Sequence, residues 1–125
     1  SGPSAPMLRD IKLNTALWEE HLEWMKALPL YFDDGERLFV HSCVHMELPL
    51  DHERQRQIML WVRPKTPPPY QQYIKRQVVH GHTPCGDFPR ISPDEVNLDT
   101  GCGKGGILSV GKFEPGNNYP TIKQF

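Results

Sequence analysis

Between Asn14 and Leu28, apolar residues recur at Leu17, Trp18, Leu22, Trp24, Met25 and Leu28, a spacing that places them on one broad face of a helix. Asn14 or Thr15 stands where an N-cap is needed, Glu19 and Glu20 put negative charge in an early turn, and Pro29 ends the segment. Trp18 and Trp24 are expected in the core. Beyond a turn at Asp33-Asp34-Gly35 the pattern changes to a short apolar run, Arg37-Leu38-Phe39-Val40-His41, which predicts a buried strand with His41 at its carboxyl end.

Asp51 is positioned to cap a second helix running to about Trp61, in which polar Glu53 to Gln57 gives way to Ile58, Met59 and Leu60. The stretch Arg63-Pro64-Lys65-Thr66-Pro67-Pro68-Pro69 can only be a loop, because successive prolines remove donors and fix φ. Three further strands are predicted over Gln77–His80, Glu95–Asp99 and Ile107–Val110, the last after a glycine-rich turn at Gly101, Gly103, Gly105 and Gly106. Short strands with helices placed early predict an α/β fold. No internal repeat is visible.

Composition narrows the function classes. Lys plus Arg number 14 against 15 Asp plus Glu, scattered along the 125 residues, so no basic stripe tracks a phosphate backbone and nucleic acid is not an expected partner. No apolar run is long enough for a membrane span. The three cysteines, Cys43, Cys85 and Cys102, are odd in number and far apart; they predict no disulfide framework and an intracellular, cytoplasmic setting. Residues 1–13, opening Ser-Gly-Pro-Ser-Ala-Pro, read as a linker or vector remnant plus lead-in, and 14–125 as one structural unit.

The chemistry concentrates at strand ends. Val78-Val79-His80-Gly81-His82-Thr83-Pro84 ends an apolar strand in a histidine directly after a glycine, and His41 ends another. Imidazole is the commonest side-chain ligand for borderline transition metals, and the glycine is expected to let the backbone turn closely at His82. His41-x-Cys43 with His82-x-x-Cys85 also offers two imidazoles and two thiols, the donor set of a structural tetrahedral zinc site. His21, His45 and His52 are expected on solvated faces, as are the loop carboxylates Asp33, Asp34, Asp51 and Asp87.

Five blocks occur in a recognisable order: Phe39-Val40-His41, Met59-Leu60-Trp61-Val62-Arg63, Val78 to Pro84, Asn97-Leu98-Asp99-Thr100-Gly101, and Gly105-Gly106-Ile107-Leu108. Together they resemble the C-terminal half of calcineurin-like metallophosphoesterases, the bacterial and phage Ser/Thr protein phosphatases in particular, over about Leu17 to Val110. The resemblance implies part of a four-layer α-β-β-α sandwich with mixed sheets. It implies His41 and His82 as metal ligands, Arg63 as the arginine that contacts substrate phosphate, and His80 and Asp99 standing behind the ligands or lining the site. It further implies two divalent ions, manganese or iron or zinc, and water attacking the phosphorus of a phosphorylated protein or small phosphoester.

The family's N-terminal motifs, Gly-Asp-x-His-Gly, Gly-Asp-x-x-Asp-Arg-Gly and Gly-Asn-His-Glu, do not occur in these residues, and Ser42-Cys43 replaces the Ala-Gly that often follows the first histidine. The chain is therefore expected to supply the C-terminal half of a site completed by the N-terminal half of the same fold, and to be inactive alone. A non-catalytic interaction module that keeps the fold without its chemistry is the competing expectation.

Overall fold

A computed structural model describes residues 15–66 and 68–125. The lead-in at 1–13, Asn14 as a cap, and Pro67 lie outside the described residues. Helix α1 (Thr15–Ala27) is followed by strands β1 (Tyr31–Asp33) and β2 (Arg37–Val40), helices α2 (Glu53–Trp61) and α3 (Tyr70–Tyr73), and strand β3 (Gln77–His80). Strands β4 (Arg90–Ile91) and β5 (Glu95–Asn97), a 3₁₀ turn (Cys102–Lys104), and strands β6 (Ser109–Lys112) and β7 (Thr121–Gln124) complete the order. The result is a mixed α/β structure: a five-stranded sheet in the order β1-β2-β3-β5-β4 and a two-stranded sheet of β6 and β7.

Strands β2, β3 and β5 are parallel neighbours, while β1 and β4 pair antiparallel at the two edges. The register sets Leu38 beside Val78 and Val78 beside Glu95. Side chains alternate across a strand, so Leu38, Val78, His80, Glu95 and Asn97 share one face, and Arg37, Phe39, Gln77, Val79 and Val96 the other. On the first face Leu38 and Val78 pack with Val44, Met59 and Tyr70, from the segment after β2 and from α2 and α3, to form the core. Each fully buried aliphatic side chain there stabilises the fold by roughly 1.5–3 kcal/mol.

On the second face, Arg37 reaches away from its strand, donating to the carbonyls of Glu114 and Asn117 at 2.8 and 2.5 Å, while Phe39 meets Phe113 edge-on at 5.4 Å. Gln77 similarly donates to the carbonyls of Ser92 and Asn118, each at 2.7 Å. These buried polar side chains tie the connection between β6 and β7 beneath the sheet. Helices α2 and α3 thus lie on one face and the segment between β6 and β7 on the other.

Several expectations are corrected. The α1 tryptophans are not core: Trp18 is 41% and Trp24 63% exposed, because no described element lies opposite that apolar face. His52, not Asp51, caps α2, its Nδ1 accepting from Arg54 N at 3.1 Å. The strand expected at Ile107–Val110 begins at Ser109. Ile107 instead bridges Gly101, and its carbonyl accepts from Thr100 Oγ1 at 2.6 Å. Among the described residues no helix is long and apolar enough to cross a membrane.

Candidate functional site

The site lies at the carboxyl ends of the three parallel strands, where open α/β sheets characteristically present ligand-binding groups. His41 directly follows β2, His80 ends β3 with Gly81 and His82 beyond it, and Asp99 lies two residues past β5. Backbone hydrogen bonds join these ends. Gly81 N donates to His41 O at 3.0 Å, Leu98 N to His80 O at 2.9 Å, and Cys85 N to Asp99 O at 2.9 Å. Their spacing is therefore fixed by sheet pairing before any side chain acts.

Beyond His41 the chain is joined to the end of α2. Ser42 N donates to Met59 O at 2.8 Å, Ser42 Oγ donates to Val62 O, and the Cys43 thiol points at Val62 O from 3.4 Å. This brings Trp61 and Arg63 over the strand ends. His41 Nε2 and His82 Nδ1 lie 2.9 Å apart, with ring centroids separated by 4.7 Å. Arg63 Nε donates to the other nitrogen of His82, Nε2, at 3.3 Å, and the Trp61 ring meets His82 edge-on at 6.4 Å. Since Nε2 accepts from Arg63, Nδ1 of His82 carries the ring proton and donates to His41 Nε2.

Loss of solvation around the His41 ring lowers its pKa, the adjacent His82 lowers it further, and the Asp99 carboxylate opposes both. His41 thus keeps Nε2 unprotonated, as the acceptor of the His82 hydrogen bond, to lower pH than an isolated histidine. The arrangement gathers two imidazoles and a guanidinium, a group suited to a cation on one side and an anion on the other.

Glycine before the second histidine was expected to permit the turn, but the unusual backbone belongs to the histidine itself. His82 has φ 67°, and Thr83 N donates to Gly81 O at 2.8 Å, making a γ-turn with His82 at its centre in the rarer positive-φ form. A left-handed non-glycine residue costs about 1–3 kcal/mol. At Gly81 an added Cβ would meet Asp99 Cβ at an ordinary 3.6 Å.

His80 is buried, with Nδ1 3.1 Å from Gly81 O and Nε2 3.3 Å from Glu95 Oε2. Arg90 Nε donates to the other Glu95 oxygen at 2.5 Å. Burial raises the Glu95 pKa, but hydrogen bonds from His80 and Arg90 outweigh it and hold the carboxyl below its ordinary value. Asp99 accepts from Gly101 N at 2.9 Å through Oδ1, which turns the chain away after β5. His80, Gly81, Asp99 and Thr100 border a recess of about 280 Å³. Glu95 carries no motif, and only its strand position could have pointed to it; Asn97 opens the Asn97-Leu98-Asp99-Thr100-Gly101 block, but the resemblance gives it no role there.

The two thiols considered as zinc ligands are directed elsewhere. Cys43 faces the Val62 and Ile58 carbonyls, and Cys85 those of Phe88, Asn97 and Asp99. Among the described residues no group of three or more His, Cys, Asp or Glu is arranged to hold an ion, so the imidazoles stand as a pair. Asp33, Asp34, Asp51 and Asp87 are all exposed, Asp33 pairing with Arg76 at 2.9 Å and Asp34 accepting from the backbone of Glu36 and Arg37. His21 and His45 are exposed. No protein-family model matches this chain, and no curated protein matches it.

Proposed function

We propose that this chain is the C-terminal half of a calcineurin-like metal-dependent phosphoesterase, hydrolysing phosphate monoesters of proteins or small molecules once the N-terminal half of the same fold completes its site. The observation that carries the proposal is the 2.9 Å approach of His41 Nε2 to His82 Nδ1, with Arg63 on the far nitrogen of His82. Nitrogens bound to one ion at about 2.0–2.2 Å lie roughly 3–3.5 Å from each other, so the pair fits as neighbouring ligands after a small adjustment. His41 and His82 would hold one of two divalent ions, manganese or iron or zinc. Those ions would supply a nucleophile from water at neutral pH and compensate charge on the phosphoryl group.

Once Nδ1 of His82 serves as a ligand, its ring proton moves to Nε2, which can no longer accept from Arg63. Arg63 is then free to give two parallel hydrogen bonds to phosphate oxygens. Asp99 and His80 stand behind the histidines. The five-stranded mixed sheet, with α2 and α3 on one face and the connection of a second, two-stranded sheet on the other, supports assignment to half of a four-layer α-β-β-α sandwich. Three unpaired cysteines support a cytoplasmic setting; nucleic acid and membrane are not partners in this reading.

Two imidazoles leave the carboxylate positions of a two-ion centre unfilled. Assayed with manganese and p-nitrophenyl phosphate, the 125 residues are expected to be inactive by themselves and to gain turnover with a polypeptide bearing the three N-terminal motifs. In that complex Arg63→Ala should lower kcat/KM about ten- to a hundredfold, the loss of a charge-assisted contact of roughly 1.5–3 kcal/mol. Inactivity of the assembled complex, with no metal retained, would favour the non-catalytic module.

A further inference from the structure

The left-handed backbone at His82 decides which way its imidazole projects, so whatever fixes that backbone also aims Nδ1 at His41. The γ-turn around His82 has one acceptor, the Gly81 carbonyl, and this oxygen has two neighbours: Thr83 N at 2.8 Å and His80 Nδ1 at 3.1 Å. A carbonyl only accepts, so Nδ1 of His80 is a donor here. On the other side of the turn, Asn97 Nδ2 donates to Thr83 O at 2.9 Å. His82 is thereby held between side chains of β3 and β5. The His80 ring is itself held at Nε2 by buried Glu95, whose second oxygen is bound by Arg90.

We propose that His80 is a positioning residue: its Nδ1–H holds the Gly81 carbonyl, and through that carbonyl fixes the turn that aims Nδ1 of His82 at His41. Glu95 and Arg90 act one step further back by orienting the His80 ring. This assigns His80 a role distinct from touching substrate or metal, and accounts for a buried histidine whose two nitrogens both face acceptors, an arrangement satisfied when both carry protons. Only the metal-binding arm of the test rests on the phosphoesterase reading; the geometry of the His41–His82 pair does not.

Two near-isosteric substitutions separate the two contacts of His80. An asparagine amide places its nitrogen near the position of Nδ1 and can still reach Gly81 O, whereas a glutamine amide places it near Nε2 and can still reach Glu95. The test compares wild type, His80→Asn and His80→Gln by long-range proton–nitrogen NMR of the histidine rings, alongside Mn²⁺ titration and urea unfolding. His82 in wild type should show protonated Nδ1 and unprotonated Nε2, the state imposed by Arg63 and His41. His80→Asn should keep that signature, and His80→Gln should lose it in favour of mixed tautomers. Mn²⁺ affinity should follow the same order, with His80→Gln weaker by about 10–100-fold, the usual effect of removing a ligand's support.

Retention by glutamine and loss by asparagine would place the support in the Glu95 contact and overturn the proposal. An unchanged His82 signature in both variants, or equal loss in both, would overturn it too. If His80→Asn unfolds because Glu95 loses its imidazole, the His80→Asn/Glu95→Gln double variant removes the stranded charge and the same ring signature decides. A folded complex of this chain, with the expected His82 tautomer, and the polypeptide bearing the three N-terminal motifs that binds no Mn²⁺ would count against the phosphoesterase reading alone.

Discussion

The parallel strands and helix α1 present similar apolar patterns and have opposite fates. Leu38, Val78 and Val96 are completely buried, enclosed between α2 and α3 on one face and the hairpin connection on the other. Trp18, Trp24 and Met25 on α1, and Leu28 just beyond it, remain exposed, with a recess of about 520 Å³ bordered by Trp18, His21, Trp24 and Met25. Periodicity identifies the face of an element that wants a partner, but it does not supply one. A strand in mid-sheet has neighbours guaranteed by hydrogen bonding on both sides; a helix depends wholly on what packs against it.

Substitutions should sharpen this contrast most. Leu38→Ala empties a fully enclosed site and should cost about 2–5 kcal/mol in urea unfolding. Trp24→Ala, although it deletes far more apolar surface, should change stability by no more than about 0.5 kcal/mol. Comparable losses at the two positions would mean that α1 has a partner in solution.

Acid should act on the buried strands and leave α1 alone. The Glu95 pKa is lower folded than unfolded, because His80 and Arg90 bind its carboxylate. Its stabilising contribution is therefore complete above the ordinary carboxylate range of about 4.5 and declines as pH falls through the depressed folded value. In Glu95→Gln the acid limb of a stability–pH profile should flatten. An identical limb in the variant would assign acid sensitivity to other carboxylates.

Legibility in the sequence follows the same division. The apolar pattern bounds Gln77–His80 as the structure does, because a short apolar run between turns has few alternatives, and it places β2 to within one residue. Strands β1, β4 and β7 carried no such run. Arg90–Ile91 is a strand only because β5 lies beside it, and Thr121–Gln124 only because it folds back on β6. Helix α3 was hidden behind the prolines, although Tyr70 is buried at its start. The strand at Glu95 stops at Asn97 because Asn97 Oδ1 takes Asp99 N at 2.9 Å, a side-chain substitution for ladder pairing that composition does not announce.

For the site, strand-end placement singles out His41 and His82, whereas Arg63, in the loop after a helix, is singled out only by the family resemblance; the structure brings all three together. The conformational role was misplaced by one residue, since glycine suggests freedom while the tertiary ties of His80 and Asn97 impose the left-handed state on His82. Glu95 was invisible as a site-supporting residue, because a carboxylate inside a predicted strand reads as solvent-facing until the register sets it against His80.

The most direct test of the account is a titration of the chain with Mn²⁺ while every histidine ring is observed by NMR. Paramagnetic broadening should reach His41 and His82 together, at the same metal concentration, and His41→Asn should abolish it at the remaining ring, His82. Broadening that begins at His45 or His52, or near the loop aspartates Asp51 and Asp87, and leaves the His41–His82 pair sharp would contradict a shared metal position at the ends of β2 and β3.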